Sequence, residues 1–423
     1  MATRFGIAAS LVLFCAGLQG QVTAIKAGKM IDTDAGTVLS NQIILVKGGK
    51  IEAVGGNLSI PSDAKVIDLS GMTVLPGLID CHTHLTDSYA DADPLSELRK
   101  TSAFDAFQSI PNAKAVLLAG FTTVRDVGAY RALVDVALRD AINRGDLVGP
   151  RMYVAGAYIT ITGGAGAVTG FAPDIILPWD LHFGEANSPW EVRQRIRALA
   201  NQRVDLVKVL ATGAVLTHNS NVKSAEFTPD ELSAAVQEAQ SFGLRVAAHA
   251  HSPEGIKNAV RAGVASIEHG SLADDESRQL MKQHGTYLVP TLEIGECVLD
   301  PAHEPPDFVE HGKQVAQAQR ENFRKAVDAG VKIAFGTDIS VCPFGTNARE
   351  FGLMVEYGMT PMHAIQAATV SAADLIGVSS KIGSIKPGKS ADIVAVQGDP
   401  RKDVRVLEKV SFVMKEGQVY KQE

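Results

Sequence analysis

The chain is short of three things. Its 423 residues include only four cysteines, no long run of lysine and arginine, and, past the N-terminus, no apolar stretch long enough to span a bilayer. Each absence excludes something. Once Cys15 is set aside with the leader, Cys81, Cys297 and Cys342 remain, an odd number at scattered positions, and no disulfide framework is expected. A net charge of −7 without a basic run argues against nucleic acid as the main partner. The one compact apolar run, Phe5 to Leu18, follows Arg4 and precedes the small residues of Val22-Thr23-Ala24. That is the pattern of an export signal over residues 1–24. The mature chain is therefore expected in the periplasm or outside the cell, with no membrane partner after signal removal.

What is present changes period along the chain. Residues 25–75 hold short β-type runs separated by Gly-Gly and Asn/Asp/Ser clusters, and similar runs return over 385–423. Each set is too small to bury a good core alone, so the two ends are expected to combine into one small β-sandwich. Between them, over 76–384, strand-like runs alternate with amphipathic helical stretches. The runs are TVLPGLID, TTVRDV, RMYVAGAYIT, DLVKVLA, RVAAHAH, SIEHG, TYLVPTL and KIAFGTD. Eight such alternations predict an α/β fold, a parallel (β/α)8 TIM barrel. A doubly wound open sheet is the alternative, but it would not bring the ends of strands one, four, five, six and eight to one point.

Those strand ends carry the chemistry. His82 and His84 share a strand face because side chains alternate with period two, so both can reach one ion. Asp338 closes strand eight, which neighbours strand one in a closed barrel. It can complete that site and also take a proton from bound water. Its alternative role is a helix N-cap. Lys208 lies among Val207, Val209 and Leu210 in a run that reads as buried, where an unpaired ammonium is costly. A neutral amine there can capture carbon dioxide as a carbamate that bridges two cations. The alternative is pairing with Asp205 or Glu268. His249 and His269 are expected to hold a second metal, with His251, on the same face as His249, as the other candidate and otherwise a substrate contact. Cys81 falls on the opposite face from His82 and is expected to pack rather than coordinate.

This set resembles the amidohydrolase superfamily: HTH after VLPGLID, the strand-four lysine, the strand-five and strand-six histidines, the GTD aspartate and KIGSIKPGKSADIVAV all match its pattern. TTVRDVGA, AHAHSPEGIKNAVRAGVASIEHG and ITITGGAG are similar to a branch of secreted or periplasmic enzymes that includes Xaa-Pro dipeptidase-like, Arg/Lys carboxypeptidase-like and ochratoxin-hydrolysing amidases. The resemblance covers nearly the whole mature chain. It implies two zinc ions, with manganese or cobalt as alternatives, bridged by N6-carboxylated Lys208. It also implies a homo-oligomer and a small amide, dipeptide or N-acyl amino acid as substrate. At Ala165 this chain departs from relatives that carry a histidine in the Gly-rich loop, which puts the substrate in doubt more than the chemistry; His218, His251 or a loop hydroxyl are the candidate replacements.

Asp338 is expected to shuttle the proton. Ser88, Tyr89, His218, His251 and Gly164 are expected around the substrate, and the loop Gly163–Gly166 is read as mobile. Arg125 and Asp126 are read as a structural pair. Three rival functions remain. One is a one-metal deaminase using Glu254 of the HXXE spacing, although Ser252-Pro253 also reads as a helix start. Another is a lactone or ester hydrolase, and the third a barrel kept for binding alone.

Overall fold

The structure is a computed structural model that describes residues 21–87, 96–172, 174–218, 220–298, 306–340 and 342–423. Most of the expected export signal, together with Ser88 and Tyr89, lies outside the described residues. β1 (Thr23–Asp32), β2 (Thr37–Lys47), β3 (Lys50–Gly55) and β4 (Lys65–Pro76) come from the N-terminal part. They are followed by shorter strands: β5 (Leu78–Thr83), β6 (Phe121–Asp126), β7 (Arg151–Val154), β8 (Tyr158–Ile159), β9 (Leu206–Leu210), β10 (Arg245–Ala250), β11 (Ser266–His269) and β12 (Tyr287–Val289). β13 (Ile393–Val396), β14 (Val410–Lys415) and β15 (Gln418–Gln422) end the chain.

Both chain ends share one seven-stranded sheet, in the order β15-β14-β13-β4-β1-β2-β3. The start of β3 also bonds to the segment before β13, through Ile51 N to Lys389 O and Gly388 N to Ile51 O. The sheet thus folds back on itself, around a core that includes Ile25, Ile44, Ile67, Ile393 and Phe412. The run TVLP belongs to β4 of this sheet rather than to the first parallel strand. The break falls at Gly77, where an added Cβ would stand 2.1 Å from Thr122 Oγ1, so only glycine lets the chain cross there.

β5 to β12 pair in parallel and in chain order, as β5-β6-β7 and β8-β9-β10-β11-β12. Strand three is two pieces, β7 and β8, split at Gly156, whose φ is +80°. The eighth expected strand forms no ladder, only bridges at Ile333 and Ile339. Its backbone nonetheless bonds to both neighbours. Leu288 N donates to Lys332 O and Ala334 N to Leu288 O on one side; Cys81 N donates to Phe335 O and Asp338 N to His82 O on the other. The pairing therefore returns to β5.

β5, β6 and β9 are buried at every position, as expected of parallel strands covered on both faces. Alternation sorts their side chains. Val207 and Val209 join the large core under the helices, while Leu206 packs with Val127, Ala155 and Ala247 in a small separate cluster. Lys208, two residues on from Leu206, shares its face. The helices begin where capping predicts: Thr228 forms a capping box for Pro229–Ser241, and Ser252 caps Pro253–Ala262.

Against the expectation of no disulfide, Cys297 and Cys342 are bridged, with Cα atoms 5.6 Å apart. Their separation of 45 residues carried no pairing signal; only the approach of the short helix Ile294–Val298 to the loop that holds Cys342 brings them together. Cys81 is a buried free thiol, packed as expected.

Candidate metal centre

His82 and His84 lie at and just beyond the end of β5, and Asp338 lies across from them. Asp338 Oδ1 is 3.4 Å from His82 Nε2 and 3.2 Å from His84 Nε2. The three side chains offer ligand atoms within 4.8 Å of one another. Asp80 ties their backbones together: its carboxylate accepts from His82 N, Thr337 N, Thr337 Oγ1 and Asn347 Nδ2. Asp338 caps no helix; the next one begins at Arg349. Its φ is +60°, and those of His269 and Thr291 are +70° and +49°. Left-handed backbone at non-glycine residues costs about 1–3 kcal/mol each and persists where the surroundings impose it. Here all three outliers cluster at the same site.

The partners of the imidazoles set their tautomers. His82 Nδ1 is 2.8 Å from Glu268 Oε2 and His84 Nδ1 is 2.8 Å from the Gly128 carbonyl. Both partners only accept, so Nδ1 carries a proton in each ring and each Nε2 is turned toward Asp338. His249 is reversed: its Nε2 donates to the Gly213 carbonyl at 3.1 Å, which leaves Nδ1 bare. His269 Nδ1 meets Thr291 Oγ1 at 2.7 Å, and His251 Nδ1 meets Ser271 Oγ at 2.9 Å. The rings converge, with His269 centred 5.0 Å from His82, 4.7 Å from His249 and 5.1 Å from His251. Lys208 Nζ lies 3.5 Å from His82 Nε2. Neither acid considered for it is engaged there: Asp205 pairs with Arg139, and Glu268 with Arg125.

Burial dominates the electrostatics. It pushes the Lys208 amine down to about 8, partly opposed by Glu268 and Asp338. It holds His82, His249 and His269 well below the usual imidazole range, with neighbouring positive groups adding to the effect. His251 falls to about 3 for the same reasons. His84 is the exception: burial works against its charge, but the hydrogen bond and charge of Asp338 outweigh burial and raise it. Neutral imidazoles with bare nitrogens, a carboxylate and a depressed amine make a donor set that fits divalent cations.

The Amidohydrolase family profile matches residues 73–420. The chain belongs to the amidohydrolase family. It is 32% identical to an ochratoxinase of Aspergillus niger over 431 aligned positions, covering 95% of this chain and 87% of that protein. A solved Xaa-Pro dipeptidase with methionine bound in its active site superposes with a TM-score of 0.89 at 40% identity, covering 95% of this chain and all of the other. A prolidase complexed with N-methylphosphonate-L-proline superposes with a TM-score of 0.89 at 29% identity, with the same coverage.

In this amidohydrolase the cavity before the site is lined by His82, His84, Lys208, His249, His251, His269 and Asp338, so the expected ligands and His251 are gathered together. Two expected substrate residues are not. The His218 ring lies tilted against Phe308, with centroids 4.6 Å apart, and is not part of the lining. Gly164 faces away from the cavity: an added Cβ would stand 2.7 Å from Glu226 Oε2 and Ile161 Cγ1. Its loop is pinned rather than loose. Ala165 N donates to Glu226, Thr217 Oγ1 donates to Ala165 O, and Gly166 N donates to Thr160 Oγ1. Ala165 and Gly166, not Gly164, form the wall.

Arg125 and Asp126 do not pair. Adjacent strand residues face opposite ways: Arg125 reaches Glu268 and Ser266, while Asp126 accepts from Thr83 Oγ1 and Leu85 N. Glu254, the shuttle of the deaminase alternative, is exposed on the first turn of Pro253–Ala262 and absent from the lining.

Sequence reading missed Tyr158, whose hydroxyl lies 3.0 Å from His84 Nδ1 and donates to Asp87 at 2.9 Å. It also missed the supporting roles of Glu268, Ser271 and Thr291. Tyr158 lies near the end of the strand-like run RMYVAGAYIT, and that was its only signal.

Proposed function

We propose that this amidohydrolase cleaves the amide bond of a small substrate, a dipeptide or an N-acyl amino acid, with ochratoxin-type amides in range. The observation that carries this is the convergence of His82, His84 and Asp338 beside a buried Lys208 that no carboxylate among the described residues pairs. The names of its relatives, an ochratoxinase, a dipeptidase and a prolidase, point to the same bond. The parallel strands β5 to β12 and the 332–339 segment are read as a closed (β/α)8 barrel spanning 76–384, with 25–75 and 385–423 as the flanking β-domain.

His82, His84 and Asp338 would hold one divalent cation and His249 with His269 the other; Lys208, carboxylated on Nζ, would be shared by both. Zinc suits these ligands, and manganese or cobalt are the alternatives. Bound there, the cations supply an acidified water and polarise the amide carbonyl. The chain does the rest. Glu268 and the Gly128 carbonyl hold the His82 and His84 rings with Nε2 turned inward. Asp338 takes the proton released as the nucleophile attacks and passes it to the departing nitrogen. His251, fixed by Ser271, borders the substrate.

Asp338→Asn should keep the fold and metal content yet lose turnover by about 10²–10⁴-fold; near-normal turnover would remove Asp338 from proton transfer. A panel of dipeptides and N-acyl amino acids, run with metal-reconstituted protein, tests the reaction class. Turnover confined to lactones, or ammonia release from aminated rings, would sink it. Export through residues 1–24 and assembly as a homo-oligomer complete the reading; the mature N-terminus and the solution mass test them.

A further inference from the structure

The ligand residues are polar, but the cavity in front of them is lined mostly by apolar side chains, with Tyr130, Thr217 and Gln319 set among them. Leu210, Val215 and Leu216, on and after β9, line it, and so do Ile294, Val298 and Val315. Among the described lining residues the only charged types are Lys208 and Asp338, both at the ligand cluster. A charged group entering this space away from the ligand cluster would give up water and find no ion partner. An apolar group loses nothing polar and gains from burial.

Ile294, Val298 and Val315 come from two helices, Ile294–Val298 and Pro306–Ala329, and both are tied down. Cys297 is bridged to Cys342, four residues beyond Asp338. Just before the short helix, Leu292 N and Glu293 N donate to the two oxygens of buried Glu350, at 2.9 and 2.7 Å. Thr346 Oγ1 donates to Glu293 Oε1 at 2.8 Å. In the long helix, Gln319 Nε2 donates to the Pro290 carbonyl at 2.6 Å. A five-residue helix is too short to hold its shape alone; here a covalent link and buried hydrogen bonds hold it against the segment that follows Asp338.

We propose that this stapled wall is the specificity-determining element of the site, and that it takes an uncharged apolar group, aliphatic or aromatic, flanking the scissile amide. The inference rests on the amide-hydrolysis reading and adds to it the class of substrate and the residues that choose it.

The test uses full-length metal-loaded protein and a series of dipeptides and N-acyl amino acids carrying Leu, Phe, Lys or Glu on either side of the amide. On at least one side, kcat/KM for Leu and Phe should exceed that for Lys and Glu by on the order of 100-fold. Val298→Asp should cut the Leu-to-Lys ratio by about tenfold or more. Ile294→Ala, a milder change that keeps the test alive should Val298→Asp misfold, should raise KM for Leu and Phe substrates more than for glycyl ones. Cys297→Ser should do the same with metal content unchanged. Calorimetric binding of the same compounds separates the two claims. Absence of any amide turnover overturns the parent reading, whereas equal affinity for apolar and charged compounds, or a Leu-to-Lys ratio indifferent to positions 294 and 298, overturns this one.

Discussion

Glu268→Gln isolates how the centre is held. Glu268 is fully buried and accepts from His82 Nδ1 at 2.8 Å, from Arg125 Nη2 at 2.8 and 2.9 Å, and from Ser266. Arg125 is buried too, and its remaining donors go to Cys81 O and Ser266 Oγ. The amide keeps the shape of the carboxylate but removes its charge and turns an NH2 toward groups that donate to it in the native site. Breaking a buried ion pair by neutralising one partner costs about 3–5 kcal/mol, because the other charge stays buried without compensation. Against a net stability of about 5–15 kcal/mol this is a large fraction. The change also frees the His82 ring, and loss of such a supporting hydrogen bond weakens metal affinity by about 10–100-fold. Thermal unfolding of metal-free protein, compared at one scan rate because unfolding of a chain this long need not be reversible, reads the first effect; competition with a chelator reads the second. Arg125→Met combined with Glu268→Met should lose less stability than Glu268→Gln, since no lone charge remains. A Glu268→Gln protein that melts with the parent and binds metal equally well would refute the reasoning.

Three further predictions follow from single contacts. Lys208→Ala should lower metal stoichiometry and abolish turnover, and a small added carboxylic acid should restore part of both; full metal content in the variant would count against the shared-ligand role. Gly164→Ala forces its Cβ to within 2.7 Å of Glu226 and Ile161. It should cost about 1–3 kcal/mol and raise KM by displacing Ala165 and Gly166, as unfolding and steady-state kinetics would show. Burial lifts the Glu226 carboxyl from its ordinary 4.5 to about 7, partly opposed by its hydrogen bond from Ala165 N. The native state therefore holds that proton more tightly than the unfolded chain. Its contribution to stability is fully present below about 4.5 and is lost as pH rises toward 7. Glu226→Gln should flatten that part of the stability–pH profile, and an unchanged profile would remove Glu226 as its source.

The sequence alone was enough to pick out the candidate ligand residues that line one cavity. Alternation with period two is a local property of extended backbone, so His82 with His84, and His249 with His251, could each be placed on one face from spacing, and ligand types recurring at strand ends supplied the order. The helix start at Ser252-Pro253 was equally local. The division of the chain was harder. TVLP has the composition of a buried strand in either layer, and only the crossing at Gly77 assigns it to β4. The eighth strand was legible as a run of apolar residues, but not its lack of a regular ladder.

Contacts between distant segments were decided only in three dimensions. Spacing cannot tell that Glu268 serves Arg125 and His82 and not Lys208, that Cys297 meets Cys342, that His218 turns toward Phe308, or that Gly164 backs onto Glu226 while its neighbours face the cavity. Side-chain alternation depends on a residue's own φ and ψ and can be read one strand at a time. Pairing depends on how closure brings separate strands and loops together, and on which buried charges and donors then lie within reach of one another.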